Sequence, residues 1–594
     1  LIDGSRFRDP GAPQGDATEF VGELYLTNLD RVEVLRGSGS SLYGSHAVGG
    51  AINLITRAAS SIPTRDVRAE AGSLGYLSAA AHGGGGIREG RLSFSAGALH
   101  TQTRRGLDGD DGAANTSIQG RVENRLGPAA SLSFRAYLSD AESKINESPG
   151  AIGPLPPSGF VVASPFVTFT PPLNDPDNTR DSRFVSALAK FDHRASPRFG
   201  YGVSLHRLTT ARDYADGPLG GSAFEPVTST QSTFNGTLDT VDARADLDWR
   251  DAHTLTVGYE REREHFASRS LPVNRAAAWR AAIDQTTQSA WVQQQSRWPS
   301  FTLAASARWQ TFAVDRPAFT PADRAPFAVS EFATPPAATT IDVSGARWFA
   351  RTRTKLRAHA GNAYRAPSMY ERAGSSFGSR GYIVYGDPRL GAERSLSIDA
   401  GADQTLAGGR AVVSATWFRS RLRRVIAFGA LPPGDPFGRT SGYLMADGRL
   451  AHGLELNAHG DIGGRARVDV AYTFADADAP SGNRDGLPRA SATAAHQFSL
   501  SVDQRVTGAL QVSLQLVASG DHFLTLFDPV AFGSRAYRFD GAVVADAAVT
   551  YTIRVRRAGI TLAFVADNVL NREYFLQGFQ TPGRTGRLRA TVGF

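Results

Sequence analysis

Apolar and polar residues alternate along much of this chain, and this pattern limits its fold more than any other feature. Between residues 467 and 474, Val, Val, Tyr and Phe occupy the even positions of one face, while Arg, Asp and Thr occupy positions 467, 469 and 473 of the other. The same period of two runs through residues 91–99, 131–138 and 587–594. Such a period is typical of a strand whose sheet has two unlike faces. The chain is therefore predicted to be rich in strands after residue 62, in a soluble sandwich or a membrane barrel.

Length and uniform composition favour the barrel over the sandwich. The chain has 594 residues and shows no linker or change of composition, whereas soluble domains usually contain about 100–200 residues. No stretch approaches the roughly 18–20 apolar residues that a membrane helix needs. A membrane protein of this composition must be a closed barrel, because lipid-facing and lumen-facing residues then alternate along each strand.

Composition also excludes several classes of function. The chain contains no Cys, which rules out disulfides, thiol catalysis and thiolate metal sites. Its 64 basic and 57 acidic residues are spread evenly, without the basic clustering that marks a nucleic-acid interface. We therefore predict no catalytic residues and no nucleic-acid partner.

The connections between predicted strands alternate between short and long. Short ones are turns rich in Gly, Pro or Asp, such as residues 83–86 and 127–128. Tight turns at one end and long loops at the other are typical of outer-membrane barrels. The predicted long connections are 142–183, 212–237, 263–286, 312–340, 372–389, 427–446, 476–489 and 519–537.

Both ends of the chain carry segments that resemble one known family. Residues 30–37 read DRVEVLRG, and SLYG and GGAINLITR follow at 41–44 and 49–57. Near the other end, DNVLNREY at 567–574 precedes a strand that closes on Phe594. The first group resembles the second half of the plug domain of TonB-dependent outer-membrane receptors, and the last resembles the final strands of their barrel. Segments at 363–367, 385–390 and 393–395 resemble internal parts of the same barrel.

The resemblance implies an all-β membrane protein of the bacterial outer membrane. Its expected fold is a 22-stranded antiparallel transmembrane β-barrel with an internal plug, of which this chain carries a part. Residues 1–62 are expected to form the C-terminal half of the plug domain, and residues 63–594 the barrel with long extracellular loops. A TonB-binding segment and the first half of the plug are expected upstream of Leu1.

A plug-to-barrel latch is predicted at Arg36, Asp399 and Glu455. The resemblance implies that an Arg of the plug pairs with acidic residues of neighbouring barrel strands. Alternation independently places the flanking leucine and isoleucine residues towards lipid, and hence Asp399 and Glu455 towards the lumen. A buried Arg needs such a partner, because an unpaired buried charge costs several kcal/mol. The family usually has Glu where Asp399 stands, and the alternative is that these charges have other partners.

Ligand and ion sites are predicted in two loops. The resemblance places residues 6–21 on the ligand side of the plug, which makes Arg6, Arg8, Asp9 and Asp16 candidate ligand contacts. The loop around Asp108, Asp110 and Asp111 is either a Ca²⁺ site or a solvated turn, since carboxylates suit hard cations. No cofactor is required, Ca²⁺ is the one candidate ion, and the ligand itself is expected to carry iron or cobalt.

The resulting hypothesis is active uptake. The chain is predicted to bind a scarce, large ligand of the cobalamin or metal–siderophore type at its external loops and plug apex, and to import it with energy from TonB. Its expected partners are TonB with its inner-membrane energising proteins, outer-membrane lipids, the small-molecule metal complex and a protein partner at the loops. Two alternatives stay open: a plug-reduced barrel that binds partner proteins in an envelope complex, and a passive pore.

Overall fold

The described part of the chain forms one closed barrel of 22 antiparallel strands with a small plug inside it. In this computed structural model, the described residues are 1–107, 109, 111–145, 161–163, 175–220, 229–271, 278–320, 322, 327, 331–378, 381–477, 493–528, 533–555, 558–576 and 578–594. Among them, no helix combines the length and the apolar character needed to cross a membrane. The predicted fold class is confirmed.

Pairing of the first and last barrel strands closes the sheet. Strand β3 runs antiparallel to β32, from Asp66 opposite Gly593 to Gly72 opposite Arg587. The barrel strands are β3 Thr64–Gly72, β4 Leu77–Ile87, β5 Leu92–Thr103, β6 Ala113–Arg125, β7 Ala130–Lys144, β9 Thr179–Ser196, β10 Phe199–Asp216, β11 Thr230–Arg250, β12 His253–Leu271, β13 Trp279–Arg297, β14 Phe301–Val314, β16 Ala338–Phe349, β17 Thr354–Arg365, β20 Glu393–Leu406, β21 Ala411–Ala430, β22 Ser441–Ile462, β23 Ala466–Ala477, β24 His496–Arg505, β25 Leu510–Ser519, β28 Ala542–Val555, β29 Ala558–Asp567 and β32 Thr585–Gly593.

The remaining elements belong to the plug or to the connections. Short 3₁₀ turns lie at Ser73–Gly75 and Ala407–Gly409. Strand β15 extends the barrel edge by pairing with the end of β13. These elements are α1 Thr18–Val21, β1 Leu29–Arg36, α2 Ser40–Tyr43, β2 Gly50–Thr56, β8 Val161–Ala163, β15 Ala318–Thr320, α3 Met369–Ala373, β18 Ser375–Gly378, β19 Gly381–Val384, β26 His522–Asp528, β27 Gly533–Phe539, β30 Phe575–Leu576 and β31 Phe579–Gln580.

Apolar residues point out of the barrel and polar residues point in. On β7, Leu132 and Phe134 are 45% and 51% exposed, whereas Ser133 between them is 8% exposed. This arrangement is the reverse of a water-soluble protein and suits a wall that faces lipid. Trp249, Trp298 and Trp348 lie exposed beside the short turns, as expected for an aromatic girdle at a membrane interface.

The connections sort by length between the two ends of the barrel, as predicted. One end, which we call the short-turn end, carries tight turns such as residues 88–91 and 350–353. The other, the long-loop end, carries the long connections, including 366–392 between β17 and β20. Several strands extend past the membrane into these connections. Strand β11 has 21 residues, about twice the 9–11 that a tilted strand needs to cross a bilayer.

The plug occupies residues 1–56, and the first barrel strand begins at Thr64. Strands β1 and β2 pair antiparallel, and Ile2 bridges to Leu54 beside them. An aromatic and aliphatic cluster then fixes the plug to the wall formed by β7 to β11. It contains the plug residues Phe7 and Phe20 and the barrel residues Tyr137, Phe184, Leu208 and Leu238.

Candidate plug and ligand site

A network of five charged residues connects the plug to strand β12 of the barrel wall, and we call this group the charge ladder. Glu260, Glu262 and Glu264 stand at alternate positions of β12, so all three face the lumen. Arg6 contacts Glu260 and Glu262 at 2.6 Å each. Arg8 contacts Glu262 at 2.6 Å and Glu264 at 2.5 Å. Two plug arginines two residues apart are thus matched to three carboxylates with the same spacing.

Enclosure makes the charge ladder a strong constraint on the plug. The side chains of Arg8 and Glu264 are 8% and 4% exposed. Burial by itself lowers the pKa of Arg8, but the charges of Glu264 and Glu262 outweigh it and raise that pKa above its ordinary value. Arg8 is therefore a permanent cation. Removing one partner of such a buried pair costs about 3–5 kcal/mol, because it leaves the other charge uncompensated.

Burial does not support the predicted ligand contacts at Arg6, Arg8 and Asp9. The two arginines are engaged in the charge ladder. Asp9 is 1% exposed, and its Oδ2 lies 2.9 Å from Nε of Arg212 on β10. Asp16 is half-buried and accepts a backbone N–H within its own loop, so its contact with a ligand stays a prediction. The sequence did contain a signal for the ladder, since three Glu at alternate positions of one strand need cations nearby.

Arg36 of the plug lies against Glu455 of β22, as the sequence predicts. Its Nη1 contacts Oε2 of Glu455. The plug chain turns at the next residue, Gly37, whose φ of 82° lies in the left-handed region. The Arg36 side chain is 64% exposed. An ion pair this open to solvent contributes at most about 1 kcal/mol to stability.

Asp399 has a different partner from the one predicted. Its Oδ2 lies 2.7 Å from Nδ1 of His359, and Nε2 of the same ring lies 2.7 Å from Oδ2 of Asp342. Within the described residues no carboxylate other than Glu455 lies within 4.0 Å of Arg36. The reason is strand register. His359 on β17 stands directly opposite Asp399 on β20, so the ring holds the carboxylate on the wall.

A cavity of about 560 Å³ lies between this part of the plug and the wall. The plug contributes residues such as Arg36 and Leu42, and β13 to β20 contribute small or polar side chains and His359. Helix α2 bounds it, and its Ser41 hydroxyl lies 2.8 Å from that of Ser306 on β14. The plug is therefore tightly packed on one side of the lumen and loosely packed on another.

At the long-loop end, the connection 366–392 folds inward over the plug apex. Ser368 donates a hydrogen bond to the carbonyl of Pro13 at 2.6 Å. Ser368 and Glu371 form a capping box that starts α3, and Glu371 pairs with Arg365 at 2.9 Å. The plug apex is thus covered by α3 in this structure.

A row of aromatic rings continues across the same end, and we call it the aromatic series. It runs from Tyr214 to Phe234, Tyr370, Tyr443 and Phe428, with ring centroids 6.0, 6.2, 6.2 and 5.2 Å apart. Such rings supply a large contact area for an apolar or aromatic ligand. No local sequence pattern predicts this series, because its members come from β10, β11, α3, β22 and β21.

Of the three Asp residues in the predicted Ca²⁺ loop, the structure describes only Asp111. Asp108 and Asp110 lie outside the described residues, and Asp111 is half-buried. The structure instead brings together Asp175, Asp177 and Asp216, whose carboxylate oxygens lie within 4.8 Å of one another. No local sequence pattern predicts this group, because the hairpin of β9 and β10 separates Asp177 from Asp216 along the chain.

Two profiles of one receptor family match most of this chain. The profile described as TonB dependent receptor-like, beta-barrel matches residues 139–569, and that of the TonB-dependent Receptor Plug Domain matches residues 1–51. The chain belongs to the TonB-dependent receptor family. It is an outer-membrane β-barrel receptor and not an enzyme. One Gly-x-Ser-x-Gly string, residues 374–378, does occur, but it runs into strand β18 and forms no strand-to-helix nucleophile turn.

Curated relatives match short parts of this receptor. The vitamin B12 transporter BtuB of Photobacterium profundum is 32% identical over 137 residues, 22% of each chain. BtuB of Vibrio cholerae serotype O1 is 42% identical over 109 residues, 18% of this chain and 17% of that one. The match thus spans about a fifth of the length of these relatives.

Solved receptors share the fold along the whole chain. The ferripyoverdine receptor of the Pseudomonas aeruginosa outer membrane superposes with a TM-score of 0.78 at 14% identity, covering 100% of this chain and 80% of the other. The ferric-catecholate import receptor Fiu of Escherichia coli gives 0.76 at 15% identity, covering 100% and 89%. At these identities the likeness shows the fold alone.

Proposed function

We propose that this receptor imports a scarce, large metal complex across the outer membrane with energy from TonB. The observation that carries the proposal is a plug fixed inside the barrel by the charge ladder. A passive pore needs an open lumen, whereas here enclosed ion pairs hold the plug in place. Such a plug needs a source of energy to move, and TonB is the source that the family name implies.

The proposed ligand is a cobalamin or a metal–siderophore complex. Matched relatives are named as vitamin B12 transporters, and structural neighbours as ferripyoverdine and ferric-catecholate receptors. The aromatic series at the long-loop end supports a ligand with extended apolar or aromatic surface. Iron or cobalt would enter as part of this cargo.

We also propose that the external loops bind Ca²⁺. Asp175, Asp177 and Asp216 offer hard oxygen ligands at the spacing that such an ion needs, and Asp111 belongs to the loop predicted from the sequence. If Ca²⁺ binds there, chelation should lower the melting temperature of the purified receptor, and adding Ca²⁺ back should restore it.

A reversible crosslink tests the transport proposal. The chain has no native Cys, so Ser41→Cys combined with Ser306→Cys introduces the pair at a spacing suited to a disulfide. Cells expressing the receptor would be given radiolabelled cyanocobalamin, and separately a radio-iron catecholate and a radio-iron hydroxamate complex. Uptake of at least one probe should require TonB, should stop in the oxidised double variant, and should return on reduction.

The single variants Ser41→Cys and Ser306→Cys are the matched controls, and both should transport under oxidising conditions. Uptake that continues without TonB would indicate a passive pore. Absence of uptake for all three probes, together with capture of a defined envelope protein by the loops, would favour a partner-binding barrel. A neighbouring structure described as a receptor–pyocin S2 complex shows that a protein binds a receptor of this fold.

A further inference from the structure

The best-buried arginine of the long-loop end has no acidic partner. Arg372, at the end of α3, is 0% exposed. Four other buried arginines of the described chain each contact a carboxylate: Arg8 with Glu264, Arg212 with Asp9, Arg308 with Glu260, and Arg439 with Asp387 and Asp435. Arg372 forms no such pair with any described residue.

The guanidinium of Arg372 also keeps most of its hydrogen-bonding capacity unused. Its Nη2 donates to the carbonyl of Ala333, while Nε and Nη1 have no acceptor among the residues that the structure describes. The ring of Phe332 lies 5.4 Å from the guanidinium carbon. Burial without a counter-charge lowers the pKa of Arg372 to about 10. The side chain is therefore still a cation at neutral pH, held in an environment that does not compensate its charge.

One described segment contacts the guanidinium of Arg372 directly, through Phe332 and Ala333. Residues 331–337, which we call the cover segment, pass over it as an extended stretch with Ala333 exposed. Phe332 of the cover segment packs against a buried apolar cluster that includes Met369 and Ala373 of α3, and two backbone carbonyl contacts add to this. Ala333 donates its N–H to the carbonyl of Pro388 at 3.2 Å, and the Tyr364 hydroxyl donates to the carbonyl of Pro336 at 2.9 Å. Lifting this segment would uncover the guanidinium.

The position of Arg372 connects it to the receptor's ligand face. Helix α3 covers the plug apex through Ser368, and its Tyr370 is the central ring of the aromatic series. Arg372 thus belongs to the short helix that contacts the plug apex, two residues after a ring of the aromatic series. A structural role alone does not explain a buried cation here, because an apolar residue would fill the same space without the cost of desolvation.

We propose that Arg372 receives an anionic oxygen group of the imported ligand, a carboxylate, catecholate or phosphate, when the cover segment lifts. This inference rests on the proposed uptake function and narrows its ligand to negatively charged complexes. The ligand oxygen replaces the Ala333 carbonyl and meets the two idle N–H donors. An oxyanion bound by a guanidinium makes charge-assisted hydrogen bonds, which are stronger than neutral ones.

Binding measurements with charged and neutral probes test the proposal. The purified receptor would be titrated with a trianionic ferric tris-catecholate, anionic ferric citrate, a neutral ferric tris-hydroxamate and neutral cyanocobalamin. Arg372→Gln should weaken binding of an anionic probe by roughly 10- to 100-fold, the range for a hydrogen bond to a charged group. It should leave neutral probes unchanged, and Arg372→Lys should keep part of the affinity. The matched control is Arg394→Gln, whose exposed guanidinium lies 5.7 Å from the ring of Tyr364.

The outcomes separate this inference from the proposed function. Equal binding of an anionic probe by wild type and Arg372→Gln would overturn the inference and leave uptake standing. Equal loss for neutral and anionic probes would overturn it too, since Arg372 would then act on the shape of the site. Binding of cyanocobalamin alone by the wild type would show a neutral cargo and contradict it. Failure of every probe to bind would count against the uptake proposal itself.

A measurement without ligand tests the inference independently. If Arg372 awaits an external anion, Arg372→Met should leave the melting temperature unchanged or raise it. Arg439→Met should lower it, because this variant leaves Asp435 without its cation and Asp387 with only the exposed Arg389. A fall in Arg372→Met as large as that in Arg439→Met would mean that the protein itself supplies the partner, and the inference would be wrong.

Discussion

Arg8 of the plug and Glu264 of the barrel form a bidentate ion pair, with N–H···O contacts of 2.8 and 2.5 Å. The planar guanidinium meets both carboxylate oxygens, so the pair fixes orientation as well as distance. Because both side chains are buried, this contact resists motion of the plug in a way that the exposed pair of Arg36 and Glu455 cannot. The two plug–barrel contacts therefore have different consequences for stability and for opening.

Glu262→Gln should loosen the plug. Glu262 is shared by Arg6 and Arg8 at 2.6 Å each, and losing its charge leaves two buried arginines undercompensated. We expect the plug to be destabilised by about 3–5 kcal/mol, with a lower melting temperature and more frequent openings in planar-bilayer conductance. Asp239→Asn, which removes an exposed partner of Arg207, is the control. Unchanged conductance and melting would show that Glu262 does not restrain the plug.

Glu455→Gln should change transport more than stability. Arg36 is 64% exposed in this pair, so the free energy of unfolding should change by about 0–1 kcal/mol. If the contact acts as a latch, uptake rates should change while the melting temperature hardly moves. Urea unfolding and initial uptake rates on the same preparation measure both quantities. A loss of stability as large as that of Glu262→Gln would contradict this division of roles.

Replacing His359 should destabilise the wall next to the cavity. Both ring nitrogens contact carboxylates at 2.7 Å, and only the protonated ring has two N–H donors. His359→Ala therefore removes two charge-assisted hydrogen bonds, each contributing about 1.5–3 kcal/mol, and leaves Asp342 and Asp399 facing each other. Thermal unfolding of His359→Ala should occur well below that of His100→Gln, an exposed histidine control on β5. Similar melting of the two variants would exclude this role.

The stability of the plug should depend on the pH through His46. Enclosure, together with the positive charges of Arg8 and Arg365, lowers the pKa of His46 well below its ordinary value. The unfolded plug therefore takes up a proton near pH 6.5 that the folded plug does not bind. Stability should be complete above about pH 7.5 and should fall below about pH 6.5 by up to about 1.4 kcal/mol per pH unit.

His46→Asn tests this pH dependence, since Asn tolerates the residue's φ of 79°. Protection of the amides of residues 40–47 against hydrogen exchange, normalised to unfolded rates, would be compared at pH 8 and pH 5. The variant should match wild type at pH 8 and lose less protection at pH 5. Equal losses in both proteins would assign the pH dependence to other groups.

The sequence predicts the sheet more fully than the site because the two depend on different information. Alternation alone places Leu396, Ile398, Leu454 and Leu456 outward, and the structure shows all four exposed. Alternation also predicts that Glu455 faces the lumen, where Arg36 contacts it. Which residue lies across from which, however, depends on strand register, and no local pattern reports that.

Asp399 shows the limit most clearly. Alternation correctly predicts that Asp399 faces the lumen. Its partner is nevertheless His359, which lies opposite it on the neighbouring strand. The charge ladder was missed for a related reason. The loop position of Arg6 and Arg8 predicts ligand contacts, whereas the row of glutamates on β12 indicates that cations lie nearby. The aromatic series and Arg372 depend on contacts between distant connections, which only the folded chain brings together.

The antiparallel seam between β3 and β32 has a consequence for biogenesis. A growing sheet in hydrocarbon exposes unpaired amide and carbonyl groups along two edges, at a cost of several kcal/mol for each group. Those edges vanish only when residues 585–593 arrive beside residues 66–72. Insertion into lipid should therefore be nearly all-or-none, because synthesis must deliver the final strand before the wall can be sealed. Pairing of residues 585–593 with the first barrel strand is therefore the step that completes insertion of the whole barrel.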